Sequence, residues 1–198
     1  IRIRDWSSDV CSSDLTKKKN MPCALTTGYK LGCRDNVGGI TEVRLIAFNS
    51  VTGTIGVNGS GVVTGTFPAS GFYKYEVPKG AGQFTETVNA STENGTIFYQ
   101  QELTFPINRM DQNVRNEIRL LGLNRLMAIV TDRNGKYWLL GRNNGIDITG
   151  GTAQKGTAMG DRNGYEMTFT GMEEVPCSEV SSSIISALTS GTQITGGS

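Results

Sequence analysis

The residue types that carry most protein chemistry are sparse in this chain. Its 198 residues include 19 basic and 18 acidic side chains but no histidine. Without histidine there is no Ser-His or Cys-His nucleophile pair, no His-ligated zinc site and no imidazole base at neutral pH. We therefore expect neither an enzyme nor a protein that holds a metal or another cofactor. The balanced charge also gives no general electrostatic reason to expect nucleic acid or an anionic membrane as a partner.

A glycine-rich segment at 151–158 has some residues of a phosphate-binding loop. That motif places Lys directly after its second Gly, and then Ser or Thr at the start of a helix. Here Lys155 precedes Gly156, and no helical pattern follows. We therefore interpret 150–160 as a mobile connection between strands.

Two adjacent carboxylates and the three of the four cysteines that lie after residue 20 complete the candidate chemistry. On a strand, Glu173 and Glu174 would point to opposite faces, whereas paired-carboxylate catalysis needs side chains that converge across a cleft. We expect a solvated rim there. Cys23, Cys33 and Cys177 include no C-x-x-C pair, so we expect packed or free thiols in a reducing compartment. The sequence leaves open whether any of them form a disulfide.

A helix is predicted at 109–123, because Met110, Val114, Ile118 and Leu121 recur at intervals of four, four and three. Four arginines surround it. We interpret them first as a solvated face, second as a contact with carboxylates of a neighbouring subunit, and third as a contact with a nucleic acid backbone. These residues are Arg109, Arg115, Arg119 and Arg125.

Short β-strands are predicted over most of the remaining chain. The run 126–130 is wholly apolar and is followed by an Asn-Gly turn at 134–135, so we expect a core hairpin with 137–140. Alternating patterns between turn residues predict the others. The predicted strands, besides the long hairpin described next, are 40–48, 72–77, 126–130, 137–140, 146–149 and 165–170.

A long β-hairpin is the clearest single pattern. Alternating segments at 83–90 and 96–107 flank Asn94-Gly95, which is a strong hairpin signal. One face is largely apolar. A long hairpin with one solvent-exposed face needs neighbouring strands to be stable. This indicates strand addition between subunits. The polar face, predicted to line a lumen or contact another subunit, carries Gln83, Thr85, Thr87, Asn89, Phe98, Gln100, Glu102 and Thr104.

The chain is predicted to form one β domain at 21–177 with a tail on each side. Reverse translation of 4–15 yields a string that looks like a sequencing adapter, so we interpret 1–20 as an artefactual or disordered extension before Met21. A genuine polar tail is the alternative. Residues 178–198 are rich in Ser, Thr and Gly and are predicted to be flexible. A small docking patch is expected there at Ile184, Ile185 and Leu188.

Several short stretches together carry a family resemblance. They are CRDNVGG at 33–39, RNEIRLL at 115–121, NRL at 124–126, GKYWLLG at 135–141, GGTA at 150–153, GDRNGY at 160–165 and TFTG at 168–171. These stretches look like bacteriophage structural proteins of the tail tube type. The resemblance covers roughly 21–177, and its motifs are structural rather than catalytic.

The resemblance implies a mainly β fold with one flanking α-helix. Two packed antiparallel sheets would form a barrel-like sandwich from which the long β-hairpin protrudes. Six copies would close a ring, and rings would stack into a tube that conducts DNA. The expected partners are other copies of the chain, other tail proteins and DNA as non-specific cargo, with no membrane. The expected location is the virion tail, after synthesis in the cytoplasm of the bacterial host.

A second class of function remains open from the sequence. The chain could be another virion or baseplate component, or a β-sandwich binding module. A tube subunit needs inter-subunit contacts from the 83–107 hairpin and from an arm at 21–39. A binding module would instead expose an aromatic groove, expected around Tyr73, Tyr75 and Tyr99.

Overall fold

The computed structural model of this chain describes residues 27–31, 34–64, 67 and 71–188. The chain divides into two units, 1–35 and 36–198. The described residues of the first unit form no helix or strand. The predicted extension at 1–20, as well as Met21, Cys23 and Cys33, lies outside the described residues.

The second unit is built from two antiparallel sheets. Five strands form the first sheet in the order β2-β1-β5-β6-β9, and four form the second in the order β3-β4-β8-β7. The predicted class, mainly β with two packed antiparallel sheets, is confirmed, although the sheets do not close into a barrel. The elements are β1 Ile40–Ala47, β2 Tyr73–Glu76, β3 Gln83–Ser91, β4 Thr96–Asn108, α1 Gln112–Leu123, β5 Leu126–Asp132, β6 Tyr137–Leu140, β7 Asp147–Lys155, β8 Asn163–Glu173, β9 Ser178–Glu179 and α2 Ser182–Ala187.

The central strand of the first sheet, β5, is buried on both faces. Between the sheets lies the main core, where the Phe105 and Phe169 rings stack with centroids 5.7 Å apart. On the outer side, Met127 and Ile129 of β5 belong to a second apolar cluster with residues of 46–72 and α2. A strand covered on both faces needs apolar residues at every position, which explains the unbroken run of β5.

The helix α1 begins three residues later than predicted. Arg109 has a left-handed backbone with φ 79°, which no residue of an α-helix can have. Asp111 is the N-cap, and its carboxylate accepts a hydrogen bond from the backbone N–H of Gln112 at 2.6 Å. The helix then packs Ile118 and Leu121 against the main core.

The predicted flexible tail is wrong for residues 178–188. They form β9 and α2, so the chain has a second helix that the sequence did not predict. Ile184 and Ile185 are buried against the outer face of the first sheet, with Leu188 packed beside them. The predicted docking patch is therefore confirmed, and three apolar side chains outweigh the Ser-rich composition around them. Residues 189–198 lie outside the described part of the chain. Neither helix in the described part is long and apolar enough to cross a membrane.

The prediction of a loop at 150–160 is wrong for the first half of this segment. The strand β7 continues through Gly150 and Gly151 to Lys155, in register with β8. A register shift between Ile148 and Gly150 marks an irregularity in the ladder. Because glycine has low strand propensity, the local sequence gave no sign that pairing with β8 would extend the strand.

Candidate functional site

The eight predicted hairpin residues lie on one face of the second sheet. The hairpin forms as predicted, with a turn in which Gly95 has φ 60°. Its register pairs Thr85 with Glu102 and Thr87 with Gln100, so their side chains share a face. The opposite face packs on the first sheet. We call the face turned away from the first sheet the polar face. Its strand residues are Gln83, Thr85, Thr87, Asn89, Ser91, Thr96, Phe98, Gln100, Glu102, Thr104, Pro106, Asn108, Asp147, Gly150, Thr152, Gln154, Gly164, Glu166, Thr168, Thr170 and Met172.

The polar face is uncharged or acidic along its whole width. Threonine hydroxyls meet across strands, with Thr104 and Thr168 Oγ1 atoms 3.1 Å apart. Its charged members are Glu102, Asp147 and Glu166, and none of the strand residues on this face is Lys or Arg. The strand residues of this surface supply no cation to neutralise phosphates, so they offer a DNA backbone hydrogen bonds but no charge attraction.

The second sheet has two long open edges. Its edge strands β3 and β7 each have nine residues, and each pairs with one neighbour only. Nearly every residue of β7 is exposed. Long uncovered edges expose rows of backbone donors and acceptors that invite pairing with another chain, and monomeric proteins usually shorten or cover them.

The four candidate arginines form a row along α1 rather than one compact cluster. Arg115 and Arg119 are exposed and one helical turn apart. Arg109 and Arg125 flank opposite ends of the helix, which is about 18 Å long. The Nε atom of Arg125 lies 3.8 Å from the Oδ1 atom of Asp147, at the start of β7. The row therefore runs beside the β7 edge of the second sheet, where the helix contacts β7 through Gly122 and Ile148.

The three tyrosines expected around an aromatic groove are not together. Tyr75 is half-buried, its ring is 5.9 Å from Phe105, and its hydroxyl donates a hydrogen bond to Glu117 of α1 at 3.3 Å. Burial is the main cause that raises the pKa of Tyr75, and the charge of Glu117 is the second cause. Tyr99 lies six residues from Phe105 along β4, about 20 Å away. Tyr73 and Tyr75 therefore cannot line one groove with Tyr99.

A buried carboxylate replaces the solvated rim expected at Glu173 and Glu174. The side chain of Glu173 is only 1% exposed and accepts hydrogen bonds from the backbone N–H groups of Asn143 and Asn144 at 2.8–3.2 Å. The prediction is wrong for Glu173, because the loop between β6 and β7 folds over this end of β8. Glu174 is exposed, as predicted.

The same loop is held by a second buried polar side chain. Gln101 is 1% exposed. Its amide oxygen accepts from the N–H of Gly141 at 3.0 Å, and its amide nitrogen donates to Glu86 at 3.3 Å. Glu86 also accepts from the N–H of Cys177 at 2.7 Å. Glu86 and Gln101 are polar residues on the otherwise apolar side of the hairpin alternation, which is the signal that could have revealed this cluster.

Two glycines allow the loop to fold so tightly. Gly141 has φ 68° and Gly145 has φ 78°, in the left-handed region that glycine adopts without a steric penalty. A Cβ on Gly141 would also lie 2.8–2.9 Å from backbone atoms of Gly145. The chemistry of the cluster is therefore structural: Glu173 and Gln101 accept from backbone donors and anchor residues 141–145 to β8 and β4.

The thiol of Cys177 is expected to resist alkylation in the folded protein. Burial is the main cause that raises its pKa to about 12, and the charge of the nearby Glu86 carboxylate is the second cause. Since the thiolate is the reactive form, we expect alkylation at pH 8 at least about 100-fold slower than in urea, measured by peptide-resolved mass spectrometry. Equal rates in the two conditions would contradict this.

The raised pKa of Cys177 also affects stability. It stabilises the folded state below pH 9, and this contribution is lost as the pH rises toward 12.

The segment at 151–158, which has some residues of a phosphate-binding loop, already binds a carboxylate of the same chain. The backbone N–H groups of Thr157 and Ala158 both donate to the carboxylate of Asp161, at 2.9 and 2.8 Å. A Cβ on Gly156 would overlap the Asp161 side chain. Because these donors are occupied by Asp161, the loop does not present a phosphate site.

Among the described residues, no three Cys, Asp or Glu side chains are grouped so that they could hold a metal ion. No protein-family model, curated protein or solved structure matches this chain.

Proposed function

We propose that this chain is a structural subunit of a phage tail tube, assembling into stacked hexameric rings whose lumen conducts DNA. The observation that carries the proposal is the second sheet, which combines a bare polar face with two long open edges. Neither feature is needed by an isolated β-sandwich, and each has a use in a closed ring.

The strand directions favour ring closure. Because the sheet has four strands, all antiparallel to their neighbours, β3 and β7 run in opposite directions. Rotation about a ring axis keeps the direction of each strand, so β7 of one copy meets β3 of the next as an antiparallel pair. The second sheets would form one continuous antiparallel barrel, in which both edges of each second sheet are paired.

The position of the first sheet decides which face turns inward. The apolar face of the second sheet is covered by the first sheet and by the second apolar cluster behind it. This bulk can only lie outside a ring, so the polar face lines the lumen. Residues such as Thr85, Gln100 and Glu102 would then face water and DNA.

The dimensions suit the passage of duplex DNA. Six copies supply a barrel of 24 strands, because each copy contributes four. With a strand spacing of about 4.8 Å and a tilt of about 40°, the backbone diameter is roughly 48 Å. After about 5 Å of side chain on each side, a lumen of roughly 35–40 Å remains.

The charge of the polar face fits DNA as cargo rather than as a ligand. Glu102 repels phosphates weakly, Asp147 and Glu166 are paired with Arg125 and Arg162, and the strand residues of the face include no Lys or Arg that would hold DNA in place. Under this proposal the chain is made in the host cytoplasm and acts in the virion tail, where its partners are other copies and other tail proteins.

Negative-stain microscopy with light scattering on the purified chain tests the proposal. We expect rings with an open centre and sixfold symmetry, and tubes at higher protein concentration. We also expect no retention of duplex DNA in a gel-shift assay at physiological salt. A monomer at every concentration reached would contradict self-assembly, and would favour the alternative of a β-sandwich binding module.

A further inference from the structure

Five Asn-Gly pairs occur in the described part of this chain. In such a pair the backbone nitrogen of glycine can attack the side-chain carbonyl carbon of asparagine, because glycine has no side chain to hinder the approach. Ammonia leaves and a cyclic imide forms. The fold decides which pairs react, since both groups must be free to meet. The five asparagines are Asn58, Asn94, Asn134, Asn144 and Asn163.

Two of these asparagines have anchored side chains. The Oδ1 atom of Asn58 accepts hydrogen bonds from the backbone N–H groups of Ser60 and Val62, both at 3.0 Å. The Oδ1 atom of Asn134 accepts from the N–H of Val37 at 2.9 Å, and its amide nitrogen donates to the Val37 carbonyl, also at 2.9 Å. These hydrogen bonds fix the orientation of both amides, so a rotation toward the glycine nitrogen first has to break them.

Two further pairs have a buried glycine. Gly145 is buried, and the amide nitrogen of Asn144 donates to the carbonyl of Met172 at 2.9 Å. Gly164, which follows Asn163, is buried in β8, and β8 lies between β4 and β7. Reaction at either glycine nitrogen therefore requires local opening of a packed part of the fold.

The remaining pair, Asn94-Gly95, lies in the turn of the long hairpin and is exposed at both residues. The N–H of Asn94 donates to the Oγ atom of Ser91 at 3.3 Å, and this hydrogen bond involves neither reacting group. Within the part of the chain that the structure describes, the Asn94 side chain and the Gly95 N–H make no hydrogen bond. Nothing lies within 4 Å of a Cβ built on Gly95, so the turn has room for the cyclic product.

We propose that Asn94 is a site of spontaneous deamidation in the folded protein, with Gly95 as its nucleophile. The nitrogen of Gly95 forms a bond to Cγ of Asn94, and its proton leaves with the side-chain NH₂ group as ammonia. Water then opens the imide, and no other reactant is needed. Opening at Cγ yields an ordinary aspartate at position 94. Opening at the main-chain carbonyl yields an isoaspartate, whose main chain runs through the former side chain.

Both products change the turn of the hairpin. Each adds a carboxylate beside Glu93, so two negative charges then lie within residues 92–95. The isoaspartate also lengthens the main chain by one carbon. Since the turn sets the register of the hairpin, we expect the isoaspartate form to exchange its amide hydrogens faster in the strand residues that flank the turn. This chemistry goes beyond the proposed function and does not depend on it, because the single subunit already exposes the site.

Peptide-resolved mass spectrometry of the full chain, aged at pH 8, tests the proposal, and the other four pairs are its internal controls. In the folded protein we expect deamidation at Asn94 to be at least about tenfold faster than at any of the other four, because those must wait for local opening. In guanidinium chloride all five should react at similar rates. Asn94→Gln should abolish the reaction at position 94 and leave the other four rates unchanged, since the longer side chain cannot close the same five-membered ring.

The ratio of products tests the role of Gly95. A mixture of aspartate and isoaspartate at position 94 would support attack by the glycine nitrogen, since only the imide gives both. Aspartate alone would mean direct hydrolysis by water and would overturn that role. If Asn94 reacts no faster than the other four in the folded protein, or reacts only in guanidinium chloride, the proposal is wrong.

Discussion

A single proline in β7 is expected to weaken ring formation strongly without unfolding the subunit. Thr152 and Ala153 are adjacent, exposed and paired with Glu166 and Tyr165 of β8. Successive N–H groups of a strand point to opposite sides, so one of these two residues donates to β8 and the other points away from the sheet. Proline at the outward position removes only a donor that an isolated subunit does not use.

In a ring that same donor belongs to the contact with β3 of the next copy. Its loss leaves a carbonyl of the neighbour unpaired and places the proline ring in the pairing position, at a cost of about 2–3 kcal/mol per contact. Since 1.4 kcal/mol is a tenfold change, the concentration needed for assembly should rise by about 30-fold or more. Light scattering and microscopy measure this change.

The two adjacent substitutions control for each other. Thr152→Pro and Ala153→Pro are both made, and thermal unfolding identifies the one that keeps the wild-type melting temperature within a few degrees. The other loses a bond to β8 and should be less stable by about 1–3 kcal/mol. If the variant with unchanged stability still forms rings at wild-type concentrations, pairing between β7 and β3 is not what holds the ring together.

Replacing Glu173 with glutamine is expected to lower the free energy of unfolding by about 2–4 kcal/mol. Its carboxylate is the acceptor for the N–H groups of both Asn143 and Asn144, and hydrogen bonds to a charged group contribute more than neutral ones. Glutamine keeps one neutral acceptor oxygen in place of the charged carboxylate, and its NH₂ group replaces the Oε2 atom that accepts from Asn143. The loop 141–145 should loosen, which faster hydrogen exchange at Asn143 and Asn144 would show.

The matched control is the same chemical change on the polar face. Glu102 is an exposed carboxylate on β4, and Glu102→Gln should change stability by less than about 0.5 kcal/mol. Denaturant unfolding of both variants measures the difference. Equal stabilities for Glu173→Gln and Glu102→Gln would mean that the buried carboxylate does not anchor the loop.

The predictions that succeeded depend on short stretches of chain. The 83–107 hairpin formed as predicted because strand alternation has a period of two and its register is set by the turn at Asn94-Gly95. The apolar run of β5 indicated a core strand for the same reason. The identity of the residues that cover its outer face was not predictable, since Phe72 and Ile184 are distant from β5 in the chain.

The predictions that failed concern residues whose environment comes from elsewhere. Ser-rich composition indicated a flexible tail at 178–198, but Val180, Ile184 and Ile185 are buried on an apolar surface built by β5 and β6. Glycines at 150–151 indicated a loop, but pairing with β8 holds them in a strand. In both cases tertiary contacts outweighed a weak local preference.

Local sequence was sufficient to place most of the strands, the hairpin register and the hairpin residues that share a polar face, because backbone geometry repeats over two residues and turns are local. Burial of the carboxylate of Glu173 and the exposure of the polar face depended on how the two sheets pack. Glu173 meets Asn143 across 30 residues and Gln101 meets Gly141 across 40. Contacts of that separation form only when whole sheets pack, so no local pattern encodes them.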